Sequence, residues 1–143
     1  MPTLPESFAP HPARDASLRS MEAIEAGDRD GWLALFADDA LVEDPIGVSA
    51  LDPSGNGHRG PAAIGEFYDS VIGPNQVRFA ITESWAAGFE VANVGRITTT
   101  MGDGIVVHTD GVFTYRVDAS GHLDALRAYW EMDRLVIESP EPR

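Results

Sequence analysis

Apolar residues at helical spacing predict a series of helices in the first half of the chain. Pro12 suits the first position of a helix, and Leu18, Met21 and Ile24 recur after it at helical spacing. Gly27 then ends this first helix, because glycine readily takes the left-handed conformation that closes a helix.

Two further helices follow in the same half of the chain. The second is short, begins at a cap on Asp28 and ends near Ala37. Its apolar face consists of Trp32, Leu33, Leu35 and Phe36. The third is predicted over residues 61–72, between Pro61 and Gly73. Its apolar face consists of Ile64, Phe67, Tyr68 and Val71.

Strand patterns dominate the second half of the chain. A short strand begins at Leu41 and stops at Pro45, which lacks an N–H for a ladder, and residues 47–60 form a long loop. Four long strands are predicted over residues 76–87, 89–101, 104–117 and 122–137. This order predicts an α+β fold, in which a strongly curved mixed or antiparallel sheet carries three helices over its concave face. Such a cone encloses a cavity that suits a small apolar ligand.

Length and charge narrow the classes of partner. The chain of 143 residues suits one domain, predicted over residues 12–143, after an extended arm over residues 1–11. Ten basic and 23 acidic residues give a net charge of −13, which argues against nucleic acid and membrane surfaces as partners. Because no signal-peptide pattern and no membrane-length apolar run is present, a cytoplasmic protein is expected.

Motifs for cofactors and metals are weak. The stretch "GNGHRG" matches G-x-G-x-x-G at Gly55, Gly57 and Gly60, but it follows a loop in a chain that reads as antiparallel, so it predicts a flexible loop. The chain has no cysteine, and its four histidines do not pair at metal-ligand spacing. We therefore expect neither a cofactor nor a metal.

Acidic residues cluster in "LFADDALVEDPIG", residues 35–47. Asp38 and Asp39 are interpreted as solvated acids of a turn. Glu43 and Asp44 are neighbours on a predicted strand, so their side chains point to opposite faces. The pattern alone leaves open which of the two points towards the cavity.

Three blocks of the sequence resemble the ketosteroid isomerases, also called steroid Δ5-isomerases. They are "AGDRDGWLALFADDALVEDPIG" (26–47), "AAIGEFY" (62–68) and "LRAYWEMDRL" (126–135). The resemblance implies a fold of the nuclear-transport-factor-2-like and polyketide-cyclase-like superfamily. It also implies that Asp44 is the general base, with Val42 and Asp44 facing the cavity and Glu43 facing away.

The implied reaction moves the C5=C6 double bond of a 3-oxo-Δ5-steroid to C4=C5. Asp44 takes the C4 proton and returns it at C6, and a dienolate with its charge on the C3 oxygen forms in between. Hydrogen-bond donors must therefore wait at that oxygen. In this family a tyrosine and a protonated aspartate supply them, an example that is established for the family.

The sequence departs from the family at both of these donors. Counting by the family's spacing places Ser20 where the tyrosine is expected and Phe113 where the aspartate is expected. The substitutes that we consider are Tyr68, Asp110, Tyr115 and Tyr129. We predict Tyr68 and Asp110 to be catalytic together with Asp44, although Asp110 has the wrong strand parity unless Gly111 sits in a bulge.

Trp130 matches a family aromatic that packs on the steroid. Other residues are also expected to line the cavity. The predicted substrate-binding residues are Ser20, Phe36, Phe67, Phe113, Tyr115 and Trp130. Met21 and Trp85 are further candidates for cavity lining, although plain core packing explains them equally well. The resemblance also implies a homodimer formed through the open face of the sheet.

Three functions remain open at this point. The first is isomerisation of a 3-oxosteroid with an atypical oxyanion hole. The second is binding of a steroid or a similar flat apolar ligand with weak or no chemistry, which the missing donors favour. The third is another reaction of the same fold, such as epoxide opening or aldol cyclisation.

Overall fold

The structure, a computed structural model, describes residues 1–5 and 7–140. Its helices are α1 (Pro12–Ala26), α2 (Arg29–Leu33) and α3 (Gly60–Phe67), and α3 continues into a π-helical turn, Tyr68–Ile72. No helix among these described residues is long and apolar enough to cross a membrane.

The signals at Gly27 and Asp28 act as predicted, whereas α2 ends at Leu33 and not near Ala37. Gly27 has a φ of 69° and closes α1, which explains why a glycine stands there. Asp28 caps α2 by accepting a hydrogen bond from the backbone N–H of Gly31 at 3.0 Å.

Seven strands of the described residues form one sheet. They are β1 (Phe36–Glu43), β2 (His58–Arg59), β3 (Gln76–Ala87), β4 (Glu90–Thr100), β5 (Val106–Val117), β6 (Leu123–Tyr129) and β7 (Val136–Glu138). The spatial order is β2-β1-β6-β5-β4-β3, and β7 pairs with the start of β5. The sheet is mixed, because β1 runs parallel to β6 while the long strands pair antiparallel.

The helices cover one face of the sheet. Helix α1 packs on β3, β4 and β5, and α3 packs on β1. Trp32, Ile64, Val42 and Leu123 are fully buried in the layer between them, and each such side chain contributes about 1.5–3 kcal/mol when it leaves water. The predicted fold class, an α+β fold with helices over a curved sheet, is confirmed.

The start of β1 differs from the prediction. The strand begins at Phe36 rather than at Leu41, so Asp38 and Asp39 are exposed strand residues and not turn residues. An irregularity in the pairing with β6 between Phe36 and Leu41 interrupts the alternation of inward and outward residues. This irregularity explains why the apolar pattern did not indicate a strand there.

The predicted last strand over 122–137 is also wrong in its extent. Strand β6 ends at Tyr129, and the chain passes through a short 3₁₀ helix, Met132–Arg134, before β7 returns to β5. Gly111 of β5 lies at this break. A Cβ on Gly111 would clash with the carbonyl oxygen of Tyr129 and would lie 2.9 Å from the Cβ of Trp130.

Ahead of α1, the backbone of Thr3 pairs with the sheet. The backbone N–H of Thr3 donates to the carbonyl of Phe79 at 2.9 Å, and Ile81 donates to the carbonyl of Thr3 at 2.7 Å. These bonds hold the first residues along β3, at an edge of the sheet.

Candidate active site

A cavity of about 340 Å³ lies between the helices and the concave face of the sheet. Most of its wall is apolar. Trp32 and Phe67 contribute from the helices, and Val42, Phe113 and Leu126 contribute from the strands. A cavity of this kind binds an apolar ligand, and the few polar groups in its wall decide how that ligand is oriented.

The side chain of Asp44 is one of these polar groups. Val42 is fully buried and lines the cavity, whereas Glu43 points to the other face of the sheet and accepts a 2.8 Å hydrogen bond from Arg127 Nε. Asp44 follows β1 directly and lines the cavity again. In the structure, the side chain of Asp44 thus faces the cavity, and the side chain of Glu43 faces the opposite side of the sheet.

Trp130 holds the carboxylate of Asp44. The indole Nε1–H of Trp130 donates to Asp44 Oδ1 at 2.6 Å. The backbone N–H of Ile46 donates to the carbonyl of Ala128 at 3.0 Å, so the segment after β1 is fixed against β6. Because Gly111 has no side chain, Trp130 can pack closely over β5 and reach Asp44.

The surroundings of Asp44 shift its proton affinity. Burial raises the pKa of Asp44 above its ordinary value, while the hydrogen bond from Trp130 and the nearby His58 ring act in the opposite direction. Asp44 keeps some accessible surface, which faces the cavity. A carboxylate with a raised pKa that faces a cavity is suited to take a proton from a bound ligand.

Tyr115 is the second polar group of interest. It lines the cavity, is only 4% exposed, and forms a side-chain hydrogen bond with Ser20. Ser20 Oγ in turn accepts a 2.9 Å hydrogen bond from Trp32 Nε1. With Ser20 donating to Tyr115 Oη, the proton of the tyrosine hydroxyl is free for a ligand in the cavity.

The hydroxyl of Tyr115 stays protonated. Burial, and then the charge of Asp44, raise the pKa of Tyr115, because both disfavour the tyrosinate. Tyr115 therefore acts as a neutral hydrogen-bond donor. The cavity thus combines a proton acceptor, Asp44, with a buried donor, Tyr115.

Comparisons with known proteins agree with this geometry. Residues 18–124 match the SnoaL-like domain. A steroid Delta-isomerase of Nocardioides simplex is 32% identical over 123 residues, which cover 85% of this chain and 92% of that protein.

Solved structures give the same result. The Delta 5-3-ketosteroid isomerase of Mycobacterium sp. superposes with a TM-score of 0.86 at 44% identity, covering 89% of this chain and 98% of that one. The chain belongs to the ketosteroid isomerase family. RV0760c of Mycobacterium tuberculosis, solved in complex with estradiol-17beta-hemisuccinate, superposes with a TM-score of 0.85 at 37% identity, covering 89% of this chain and 99% of that one.

The structure brings together five of the site residues that the sequence analysis predicted. These cavity residues are Asp44, Phe67, Phe113, Tyr115 and Trp130. Phe113 and Tyr115 share the inward face of β5, and the backbone of β6 lies beside both. An apolar ring therefore stands where the ketosteroid isomerase aspartate was expected, with a tyrosine beside it.

Ser20 and Phe36 lie behind the wall rather than in it. Ser20 is completely buried, and its hydroxyl bonds to Trp32 and Tyr115. Phe36 packs edge-on against Trp32, with 4.8 Å between ring centroids. The expectation that these two side chains touch a ligand is corrected, because the side chains of Trp32 and Tyr115 lie in front of them.

Tyr68 is also outside the cavity wall. Its ring packs against Trp32 at 5.5 Å between centroids. Burial raises the pKa of Tyr68. The nearby charges of Asp28 and Asp69 raise this pKa as well, and the charge of Arg29 lowers it, so the hydroxyl lies near these three charged side chains. This position does not fit the predicted catalytic role of Tyr68.

Asp110 points away from the cavity. Arg96 donates to it through Nε at 2.7 Å and through a terminal nitrogen at 2.9 Å, and half of its side chain is exposed. The bidentate bond from Arg96 lowers the pKa of Asp110. Strands β4 and β5 pair without a register shift, so no bulge at Gly111 turns Asp110 inward. The prediction that Asp110 is catalytic is corrected.

Three other candidates also lie elsewhere. Met21 packs against Val77 and Phe79 but does not line the cavity itself, Trp85 is 70% exposed, and Tyr129 is 53% exposed. Sequence reasoning missed the cavity-lining hydroxyls of Thr99 and Thr109. The alternation along β5 indicates Thr109, because it has the same parity as Phe113 and Tyr115.

Trp130→Phe is expected to raise the pKa of Asp44 further, because the variant lacks the N–H that stabilises the carboxylate. A carbon-13 NMR titration of the Asp44 carboxyl group would record this as a shift to higher pH. Trp85→Phe, at an exposed tryptophan, is the matched control and should leave the titration unchanged. A shift to lower pH, or none, in Trp130→Phe would contradict the stabilising role of Trp130.

Proposed function

We propose that the protein is a steroid Δ5-isomerase, which moves the C5=C6 double bond of a 3-oxo-Δ5-steroid to C4=C5. The observation that carries the proposal is Asp44, a carboxylate with a raised pKa in the wall of an otherwise apolar cavity. The family relatives named for this activity support it. The steroid complex of RV0760c supports a steroid as the ligand class.

Asp44 moves one proton in two steps. Its carboxylate removes a proton from C4, and the electrons of that C–H bond shift through C3 to the carbonyl oxygen, which gives a dienolate. The resulting carboxylic acid then protonates C6, and the electrons return to form the conjugated 3-oxo-Δ4 product. Because the first step needs the carboxylate, the rate rises as the pH rises through the raised pKa of Asp44.

Tyr115 supplies the hydrogen bond to the C3 oxygen in this mechanism. Its hydroxyl is buried, neutral and near Asp44, and Ser20 and Trp32 hold it from behind. A donor that is already oriented in a water-poor cavity stabilises developing negative charge without rearrangement. Tyr115 thereby replaces the two family donors that Ser20 and Phe113 cannot provide.

The proposal is tested by incubating the protein with a 3-oxo-Δ5-steroid and following the ultraviolet absorbance of the conjugated enone. The expected result is an initial rate proportional to protein concentration and above the buffer rate. An isolated product with the double bond at C4=C5 would identify the reaction. A steroid that binds saturably but yields no enone would reject the isomerase.

The second candidate function is steroid binding without turnover. Two observations favour it. Of the four substitute donors that the sequence offered, Tyr115 alone lines the cavity. In addition, a short hydrogen bond from Trp130 holds Asp44 Oδ1. The enone assay separates the two functions, because a binding protein leaves the double bond in place.

The assembly is the other part of the proposal: the chain forms a homodimer through the outer face of the sheet. Val94, Val112 and Tyr129 stand side by side there on β4, β5 and β6. Light scattering should give twice the mass of one chain, and Val112→Arg should give monomers with unchanged circular dichroism. A wild-type protein with the mass of a single chain would contradict the dimer.

A further inference from the structure

Two threonine hydroxyls line the cavity at a distance from Tyr115. Thr109 lies on the inward face of β5, the face that also carries Phe113 and Tyr115. Thr99 lies on the inward face of the neighbouring strand β4. They place polar atoms in a part of the wall that is otherwise built from apolar side chains such as Ile97 and Val107.

The strand register makes the two threonines neighbours. Thr109 pairs with Ile97, and Thr99 pairs with Val107, so the threonines are diagonal partners across β4 and β5. Diagonal partners in an antiparallel pair lie roughly 7–8 Å apart at their Cα atoms. Their side chains leave the same face of the sheet, so both hydroxyls can reach one ligand oxygen placed between them.

These hydroxyls differ from the other small polar side chains of the wall. Ser70 Oγ donates to the carbonyl of Glu66 at 2.8 Å, and Asn75 Nδ2 donates to the carbonyl of Val71 at 3.0 Å. Within residues 1–5 and 7–140, the hydroxyls of Thr99 and Thr109 have no hydrogen-bond partner. Thr109 as a whole is only 9% exposed, and its hydroxyl is not among the fully buried polar atoms without a partner, so the accessible surface of this oxygen lies at the cavity.

The position of Thr109 along β5 relates the two threonines to the reacting groups. Trp130, which holds Asp44, packs against Gly111, so Asp44 lies at a level between Tyr115 and Thr109. At about 3.3 Å per residue, Tyr115 and Thr109 are separated by roughly 20 Å along the strand. A ligand with its carbonyl at Tyr115 therefore extends past Asp44 towards the threonines.

We propose that Thr99 and Thr109 form a second polar subsite, which binds an oxygen substituent on the end of the steroid opposite its 3-carbonyl group. The subsite rests on the proposed isomerase function and narrows its substrate class. The preferred substrates are 3-oxo-Δ5-steroids with a hydroxyl or carbonyl group on the five-membered ring. Their oxygen accepts hydrogen bonds from the two threonine hydroxyls, which have no other hydrogen-bond partner in the part of the chain that the structure describes.

The test compares two 3-oxo-Δ4-steroids that are identical except that one carries an oxygen at C17 and the other a methylene group. Calorimetric titration of the wild-type protein should give a dissociation constant about three- to tenfold lower for the oxygenated ligand. The double variant Thr99→Val and Thr109→Val should lose this preference. Its affinity for the ligand without the C17 oxygen should not fall, because valine keeps the shape of threonine and has no hydroxyl that this ligand would leave without a partner.

Thr100→Val is the matched control. Thr100 follows Thr99 on β4 and points to the opposite face, so this variant should keep the wild-type preference. The two single variants, Thr99→Val and Thr109→Val, should each lose part of it. They keep the test informative if the double variant folds poorly by circular dichroism.

The outcomes separate the subsite from the proposed function. If both ligands bind the wild-type protein equally, or if the valine variants keep the preference, the subsite is wrong and the isomerase proposal stands. If neither ligand binds the wild-type protein, the steroid function fails and the subsite fails with it. Loss of the preference in the valine variants alone supports the subsite.

Discussion

Asp44→Asn is expected to lower kcat for the isomerisation of a 3-oxo-Δ5-steroid by roughly 10²–10⁴-fold, because an amide cannot accept the C4 proton. The amide oxygen can still accept the hydrogen bond from Trp130, so the cavity keeps its shape. Initial rates of enone formation measure the loss. Calorimetric titration with the Δ4 product checks that the variant still binds the steroid.

Glu43→Gln is the matched control for Asp44→Asn. Glu43 is the neighbouring carboxylate, but it bonds to Arg127 on the other face of the sheet, and a glutamine can keep that bond. Its kcat should therefore equal that of the wild-type protein. Equal losses in the two variants, or full activity in Asp44→Asn, would mean that Asp44 is not the base.

Asp44→Asn should also leave the fold at least as stable as in the wild-type protein. Burial raises the pKa of Asp44 in the folded protein above its value in the unfolded chain. As the pH rises, Asp44 therefore loses its proton at a lower pH in the unfolded chain than in the folded protein. The free energy of unfolding falls until the pH passes the pKa of Asp44 in the folded protein. Asparagine does not ionise, so Asp44→Asn avoids this loss of stability and its thermal midpoint at neutral pH should rise.

Tyr115→Phe is expected to lower kcat by about 10²–10³-fold, because it removes the donor that stabilises the dienolate oxygen and keeps the ring that packs in the wall. KM should change far less than kcat, since the hydrogen bond strengthens as charge develops on the oxygen. Steady-state rates of enone formation across substrate concentrations separate the two constants.

Tyr68→Phe is the control for this second variant. Tyr68 is the other buried tyrosine, but its hydroxyl lies towards Asp28, Arg29 and Asp69 and not in the cavity wall. Its removal should leave kcat near the wild-type value. A large loss in Tyr68→Phe together with a small loss in Tyr115→Phe would reassign the oxyanion donor to Tyr68.

Local signals in the sequence were sufficient for most of the fold. Pro12, Gly27 and Asp28 act at helix ends through their own backbone and side-chain chemistry, so their meaning does not depend on the rest of the chain. The break after Tyr129 depends instead on contact with Gly111, which belongs to another strand. Contacts of this kind leave no periodic pattern in the sequence.

The site was less predictable than the fold. Alternation along β1 shows that Glu43 and Asp44 face opposite ways, but the choice between them came from the resemblance, and in the structure Asp44 is the one in the cavity wall. The donor could not be found by counting residues. Tyr115 meets Ser20 and Trp32 only because β5, α1 and α2 pack together, and spacing along the chain does not show such a contact.

The most direct test of isomerisation by Asp44 uses a 3-oxo-Δ5-steroid carrying deuterium at the C4 position from which the proton is taken. Mass spectrometry and NMR then locate the label in the product. If one carboxyl group carries the proton from C4 to C6, the enzymatic product keeps more deuterium at C6 than the product formed by buffer alone. An enzymatic product with no more label at C6 than the buffer product, or no enone at all, would contradict this mechanism.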